Sequence, residues 1–183
     1  MHINIFGASG SGVTTLGNAL SARIGFPYFD GDRYFWLPSN PPFTLRRPPA
    51  ERNELINRHM AMHHDWILGG SVVSWHNSWV FDLSVFLYVP HQIRIQRLKK
   101  REFERYGDII YTDAGRNKQY LAFIDWAAGY DDNSINGRTL KVHQDWMQGL
   151  QKEVLVIDGD TTVEERVAAV VQKLEALKQQ SKH

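Results

Sequence analysis

Residues 7 to 14 read Gly-Ala-Ser-Gly-Ser-Gly-Val-Thr, and this glycine-rich stretch constrains the backbone more than any other part of the chain. Glycine adopts positive φ without steric cost, so such a loop can turn successive backbone N–H groups toward one point. The apolar run Ile3, Ile5, Phe6 leads into it as a buried strand, and Leu16, Ala19, Leu20 and Ile24 follow at helical spacing until Gly25 and Pro27 stop the helix. Strand, loop and helix in that order aim the positive end of a helix dipole at the same point, which suits a phosphate. The spacing fits the phosphate-loop pattern G-x-x-x-x-G-K-S/T at every fixed position except the lysine, where Val13 stands. On that pattern Gly7, Ser9, Gly10, Ser11, Gly12, Val13, Thr14 and Thr15 are the expected nucleotide contacts, and the Thr14 hydroxyl is the expected ligand of Mg²⁺. A glycine-rich turn that binds nothing is the alternative reading. Valine removes a charge-assisted contact of about 1.5–3 kcal/mol, which weakens nucleotide binding without abolishing it.

The rest of the chain continues the alternation. A second short strand is expected at Phe26 to Asp30, followed by a Pro-rich irregular stretch from Leu37 to Pro49. Pro48 and Pro49 open a helix that runs to about His64. Trp66-Ile67-Leu68, ended by Gly69-Gly70, and Leu83 to Val89, closed by Pro90, read as strands. A basic helix follows from His91 to Tyr106, and residues 107 to 150 hold two helical segments divided by Asp131-Asp132-Asn133 and Gly137. Val154 to Ile157 is the fifth strand, and Thr162 with Glu165 forms a capping box for a last helix from Val163 to about Lys178. Near-continuous apolar strands alternating with helices predict an α/β fold with a doubly wound parallel sheet.

At 183 residues the chain predicts one compact domain. With 43% hydrophobic and 22% charged residues, a disordered or fibrous chain is excluded. The absence of cysteine removes disulfides, thiolate metal sites and cysteine nucleophiles. A net charge of +1 gives no chain-wide field to draw the protein onto nucleic acid or an acidic membrane. No apolar run approaches the roughly 18 residues that span a bilayer, and Met1 to Phe6 is too short and too weakly charged for a signal peptide. The expectation is a soluble cytoplasmic protein. The near-neutral total conceals a local excess: residues 91 to 119 hold eight Lys or Arg against four Asp or Glu. Arg94, Arg97, Arg101 and Arg105 are spaced by three and four and share one helical face, either a solvated surface or a cationic lid over polyphosphate.

Val89-Pro90 followed by Arg97 and Arg101, with Asp158-Gly159-Asp160 after the last strand, resembles the adenylate kinase-like group of P-loop nucleotide and small-molecule kinases over most of the chain. The resemblance implies a P-loop NTPase three-layer fold, with a five-stranded parallel sheet, helices on both faces and a helical lid. Residues 1–183 would form a single domain, with the lid inserted at about 107–150. ATP-dependent phosphoryl transfer to a small-molecule or nucleotide acceptor is the implied activity, with ATP and Mg²⁺ as cofactors. Arg97 would pack on the donor adenine, Arg101 would contact phosphates, and Asp160 would lie near the adenine. The opening Gly-Ala-Ser-Gly-Ser-Gly also looks like a bacterial adenylate kinase-related subgroup in which the lysine position is often threonine.

The acceptor side departs from adenylate kinases, because no arginine accompanies Gly69 to Trp75. Asp30-Gly31-Asp32 is closer to the D-x-D of shikimate and gluconate kinases, which implies that Asp32, with Asp30 second, positions the acceptor or acts as base. Alternatively, Asp30 caps a turn and Asp32 is solvated. Tyr34, Phe35, Trp36, Trp75 and Trp79 line an acceptor pocket or pack as core, and Arg46 and Arg47 grip an acceptor anion or lie on the surface. His59 and His63 have zinc spacing but no third ligand. A nucleotide-binding protein with little or no kinase activity is the alternative function, and Val13 is its motive. A nucleic-acid-binding reading of the basic helix is weaker, because it needs a wider cationic surface.

Overall fold

A computed structural model describes residues 1–180. Five strands, β1 (His2–Gly7), β2 (Tyr28–Asp30), β3 (Trp66–Gly69), β4 (Leu83–Tyr88) and β5 (Glu153–Asp158), form one sheet in the order β2-β3-β1-β4-β5. Every pairing is parallel: Ile3 lies opposite Ile67 on one side and Leu83 on the other, and Val85 lies opposite Leu155. The helices are α1 (Val13–Ile24), α2 (Gly31–Phe35), α3 (Pro49–Met60), α4 (His91–Tyr106), α5 (Ile109–Thr112), α6 (Ala114–Ala128), α7 (Leu140–Gln148) and α8 (Val163–Gln180). None of the described helices is long and apolar enough to cross a membrane.

The apolar strands are buried because helices cover both faces of the sheet. On one face, Ile3, Ile5, Ile67, Leu83 and Val85 pack with Leu16 and Leu20 of α1 and Val170 and Leu174 of α8. On the other, Trp66 and Leu68 pack with Ile56 and Met60 of α3, Trp75 and Phe81, while Trp146 of α7 lies against them. A third cluster joins Leu98 of α4 to Ile110, Tyr120 and Ile124 of α5 and α6. The chain leaves β1 toward one side, to the edge strand β2, and leaves β3 toward the other, passing β1 to reach β4, so the C-terminal ends of the neighbours β1 and β3 form a topological switch point, where open α/β sheets bind ligands.

Three local expectations are corrected. The helix beginning at Pro49 ends at Met60 rather than near His64: Met62 and His63 donate to His59 and Met60 carbonyls in tight turns, and Asp65 is drawn to the Met1 ammonium. Residues 107 to 150 contain three helices rather than two, because Gly107 at φ 65° breaks the chain and Asp113 caps α6 through the Arg116 N–H at 2.7 Å. The short helix α2 was not foreseen in the run after β2. It forms because the Asp30 side chain accepts the Asp32 N–H at 3.0 Å. The capping box at the start of α8 forms as expected, with Glu165 accepting from Thr162 N–H at 2.7 Å and Thr162 Oγ1 accepting from Glu165 N–H at 3.2 Å.

Tyr28 lies across two glycines that bring α1 and β3 close to β2. A Cβ on Gly17 would fall 2.1 Å from Tyr28 Cε2, and one on Gly69 would fall 2.0 Å from its hydroxyl. Gly17→Ala must displace the ring or the helix, and it should destabilise the protein by about 1–3 kcal/mol, read as a lowered urea midpoint.

Candidate functional site

The glycine loop leaves β1 at Gly7 and enters α1 at Val13. Gly10 and Gly12 have φ of 83° and 95°, which L side chains rarely adopt. Space demands glycine as well: a Cβ on Gly10 would stand 2.9 Å from the Arg94 carbonyl oxygen, and one on Gly7 2.5 Å from that of Leu87. No side chain caps α1, and its first ladder bond is Leu16 N–H to Gly12 O at 2.9 Å. The N–H groups of the first turn therefore point into the site without a side-chain partner. They face a cleft of about 960 Å³ at the C-terminal end of the sheet.

Gly7, Ser9, Gly10, Gly12, Val13, Thr14, Thr15, Asp32, Arg97 and Arg101 all line this cleft. Two expected contacts do not. Ser11 is fully buried, its hydroxyl turned beneath the loop without a hydrogen-bond partner. Asp160 stands at the rim, ion-paired with Arg97. The four spaced arginines of α4 divide as well. Arg94 is completely buried, donating to Val89 O at 3.1 Å and Ser9 O at 3.3 Å and pairing with Asp131, so it belongs to the scaffold and not to a lid. Arg97 reaches the Gly10 carbonyl at 3.4 Å. Arg101 and Arg105 enter the cleft side by side and share Glu102, each at 3.5 Å. Burial and then the neighbouring Arg105 charge disfavour the Arg101 cation, an arrangement that welcomes an anion.

Opposite them stand the carboxylates. Asp30 both caps α2 and faces Thr14, whose hydroxyl donates to it at 3.5 Å. Burial raises its pKa above the usual carboxylate value, and its hydrogen bond from the Asp32 N–H works in the other direction. Asp32 is exposed to the cleft. Among the described aromatic residues only Trp36 and Phe43 line the cleft. Trp75 is core, with Arg52 stacked on its face at 4.0 Å, and the indole N–H of Trp79 donates to Asn57 at 2.7 Å. Arg47 lines the cleft but holds Glu51 at 2.6 Å, while Arg46 lies over Phe35. His59 bonds Tyr34 at 3.0 Å and His63 packs on Phe29. Among the described residues no group of three or more His, Cys, Asp or Glu stands close enough to hold a metal ion by itself.

Two arginines were not anticipated. Arg166 of α8 is largely buried in the wall of the cleft and donates to Ser11 O at 2.7 Å, bracing the loop. Its signal in the sequence is its place on the apolar stripe with Val170 and Leu174. Arg138, the only residue between 107 and 150 to line the cleft, donates to Ser9 Oγ at 2.9 Å and has Trp126 beneath it. Nothing in its local pattern marks it. Its segment is clamped by a buried chain of side chains: Tyr130 Oη to His143 Nδ1 at 2.7 Å, and His143 Nε2 to Ser71 Oγ at 2.9 Å. Burial, aided by the Arg138 charge, lowers the His143 pKa to about 3.

No family model matches the sequence. The uncharacterized protein YqaC of Bacillus subtilis (strain 168) is 39% identical over 175 residues, which is 94% of this chain and 97% of that one. Among solved structures, deoxyadenosine kinase from M. mycoides with bound dATP superposes with a TM-score of 0.58 at 16% identity, covering 96% of this chain and 100% of that one. Shikimate kinase from Bacteroides thetaiotaomicron gives 0.55 at 20% identity, over 96% and 98%. A gluconokinase from Sinorhizobium meliloti 1021 gives 0.51 at 16% identity, over 98% and 97%. At these identities the likeness is one of fold, and the fold is that of the P-loop kinases.

The clamp through His143 makes stability depend on pH. The unfolded chain takes up the imidazole proton near pH 6.5 and the folded chain only near 3, so acidification between them favours unfolding. From about pH 6.5 down to about 3 the protein should lose stability by up to about 1.4 kcal/mol per pH unit through this group. His143→Gln should flatten that limb, read as urea midpoints against pH.

Proposed function

The chain belongs to one family with the Bacillus subtilis protein YqaC, and from that premise we propose that it is a phosphotransferase moving the γ-phosphoryl group of ATP to a small acceptor. The observation that carries this reading is the convergence on one cleft of the uncapped glycine loop, the Thr14 and Asp30 oxygens, and Arg97 and Arg101. Phosphoryl transfer asks mainly for positioning and for neutralisation of charge, and each part has a residue. Backbone N–H groups of Gly7 to Thr15 hold the polyphosphate. Arg97 and Arg101 approach from α4 and draw off negative charge, and Arg97 with Asp160 frames the donor base. Residues 107–150 act as the lid within a single domain.

The Thr14 hydroxyl and Asp30 carboxylate are adjacent hard oxygen donors. They suit Mg²⁺, which takes one or two protein ligands and completes its shell with water and phosphate oxygens. Thr14 and Asp30 would hold it, and its charge would offset that of the β- and γ-phosphoryl oxygens. Asp32 orients the acceptor hydroxyl. Its oxygen bonds to the γ-phosphorus as the bond to the bridging oxygen of the ADP leaving group breaks, and its proton passes to the Asp32 carboxylate.

Val13 favours a second reading, a nucleotide-binding protein without turnover. Incubation with Mg²⁺, ATP and a panel of nucleosides, nucleotides and sugar acids separates the two. Acceptor-dependent ADP release is expected, and ATP binding with no turnover on any acceptor supports the second reading. Asp32→Asn should lower turnover by roughly 10²–10⁴ while leaving ATP affinity within about twofold. An unchanged rate would remove Asp32 from the mechanism.

A further inference from the structure

Where the phosphate-loop pattern has lysine, this chain presents the side chain of Val13, packed against the apolar core of α1 and α8. A polyphosphate in the loop would then meet only backbone dipoles from below, and a helix end supplies about half a unit charge against several negative charges. A further cation facing the loop would recover the charge-assisted contact that Val13 cannot make. Most arginines around the cleft already have carboxylate partners: Arg47 has Glu51, Arg97 has Asp160, and Arg101 and Arg105 have Glu102. Among the described residues Arg33 and Arg166 have none: Arg33 is exposed on α2 beside Asp32 and makes no hydrogen bond to the loop, and the donors of Arg166 go to Ser11 O, Thr161 Oγ1 and Gly159 O.

Arg138 differs from all of these. Among the described residues it has no carboxylate within ion-pair distance, and its one hydrogen bond goes to Ser9 Oγ, inside the loop itself. Of the five N–H donors of a guanidinium, the others remain for a ligand. Burial disfavours its charge, and Asp32 is the first of the neighbours that favour it. Arg138 is half-buried and lines the cleft, so its charge, with no carboxylate paired to it, is open to an arriving anion.

The backbone that carries it is held from both sides. Thr139 is buried and caps α7 through the Val142 N–H at 3.2 Å, and Asn133 accepts from the Lys141 N–H at 2.8 Å. Tyr130, His143 and Ser71 tie the segment to the end of β3, and Asp131 ties it to Arg94. Arg138 is thus held at the loop by a segment far from α1 in sequence, through its bond to Ser9 Oγ.

The geometry points to Arg138 as the cation that binds the terminal phosphates of the nucleotide in place of the loop lysine, acting across the cleft from Val13. Its planar fork can take two phosphate oxygens at once, as a lysine cannot. The inference rests on the nucleotide-binding reading of the site.

The test is equilibrium binding of Mg²⁺-ATP and, separately, of inorganic tripolyphosphate, which has no base. Arg138→Ala should weaken both by roughly ten- to a hundredfold. Val13→Lys should recover most of that loss in the Arg138→Ala background and add far less to the unaltered protein, because the two cations occupy one role. Arg138→Gln keeps a polar side chain of intermediate length without the charge and replaces the alanine variant if that one fails to fold; thermal midpoints without ligand decide this. If the unaltered protein binds neither probe, the nucleotide-binding reading fails and this inference with it. If it binds ATP but Arg138→Gln binds equally well, or Val13→Lys restores nothing, Arg138 is not the replacement and the broader reading stands.

Discussion

The site depends on a single buried guanidinium. Arg94 is fully enclosed and joins three parts of the chain: Val89 at the end of β4, Ser9 in the glycine loop, and Asp131 after α6. Burying such a group unpaired would cost several kcal/mol, so its partners are held together by the same penalty. The backbone of Arg94 also sets the closest approach of α4 to the loop, which is why position 10 has no room for a side chain. The curve of the phosphate loop, the seating of α4 and the path of the segment bearing Arg138 are therefore parts of one arrangement.

Around that anchor, charge is distributed by role. The chain is almost neutral, but arginines from α4, α8 and the segment before α7 converge on one end of the sheet. Some of them brace the loop itself, as Arg166 does at Ser11. Others face the open cleft with carboxylates that share or compete for them, as Glu102 does with Arg101 and Arg105. Asp30 and Asp32 oppose them across the loop. This separation of like charges around an anion-shaped concavity suits a polyphosphate on one side and a hydroxyl-bearing acceptor on the other. The aromatic residues mostly serve the fold: Trp66 and Trp75 fill the layer beneath α3, and Trp36 alone of the tryptophans reaches the cleft.

Much of this was legible in the sequence, and the reason lies in range. The glycine loop, the strands beside it and the Thr162–Glu165 cap are set by interactions across a few residues. So are the alternation of strands and helices and the cap that Asp30 makes on the Asp32 N–H, whereas the approach of Asp30 to Thr14, 16 residues away, is not. The equal spacing of Arg94, Arg97, Arg101 and Arg105 was legible too, but spacing gives only a shared face. Arg94 lies on the stripe with Leu98 and Glu102 that α4 turns inward, whereas Arg97, one turn further on, looks into the cleft. Which side of a basic stripe is buried depends on what packs there.

The sequence by itself determined the α/β alternation, the loop that can cradle a phosphate, and the loss of its lysine at Val13, because each follows from local backbone sterics or residue identity. Only the tertiary structure decided which cations meet that loop. Arg138 is 129 residues from Ser9, and Arg166 is 155 residues from Ser11. No local periodicity reports a contact across such separations. It arises when the parallel sheet brings the C-terminal ends of all its strands to one edge and the buried Arg94 draws the returning chain onto the loop.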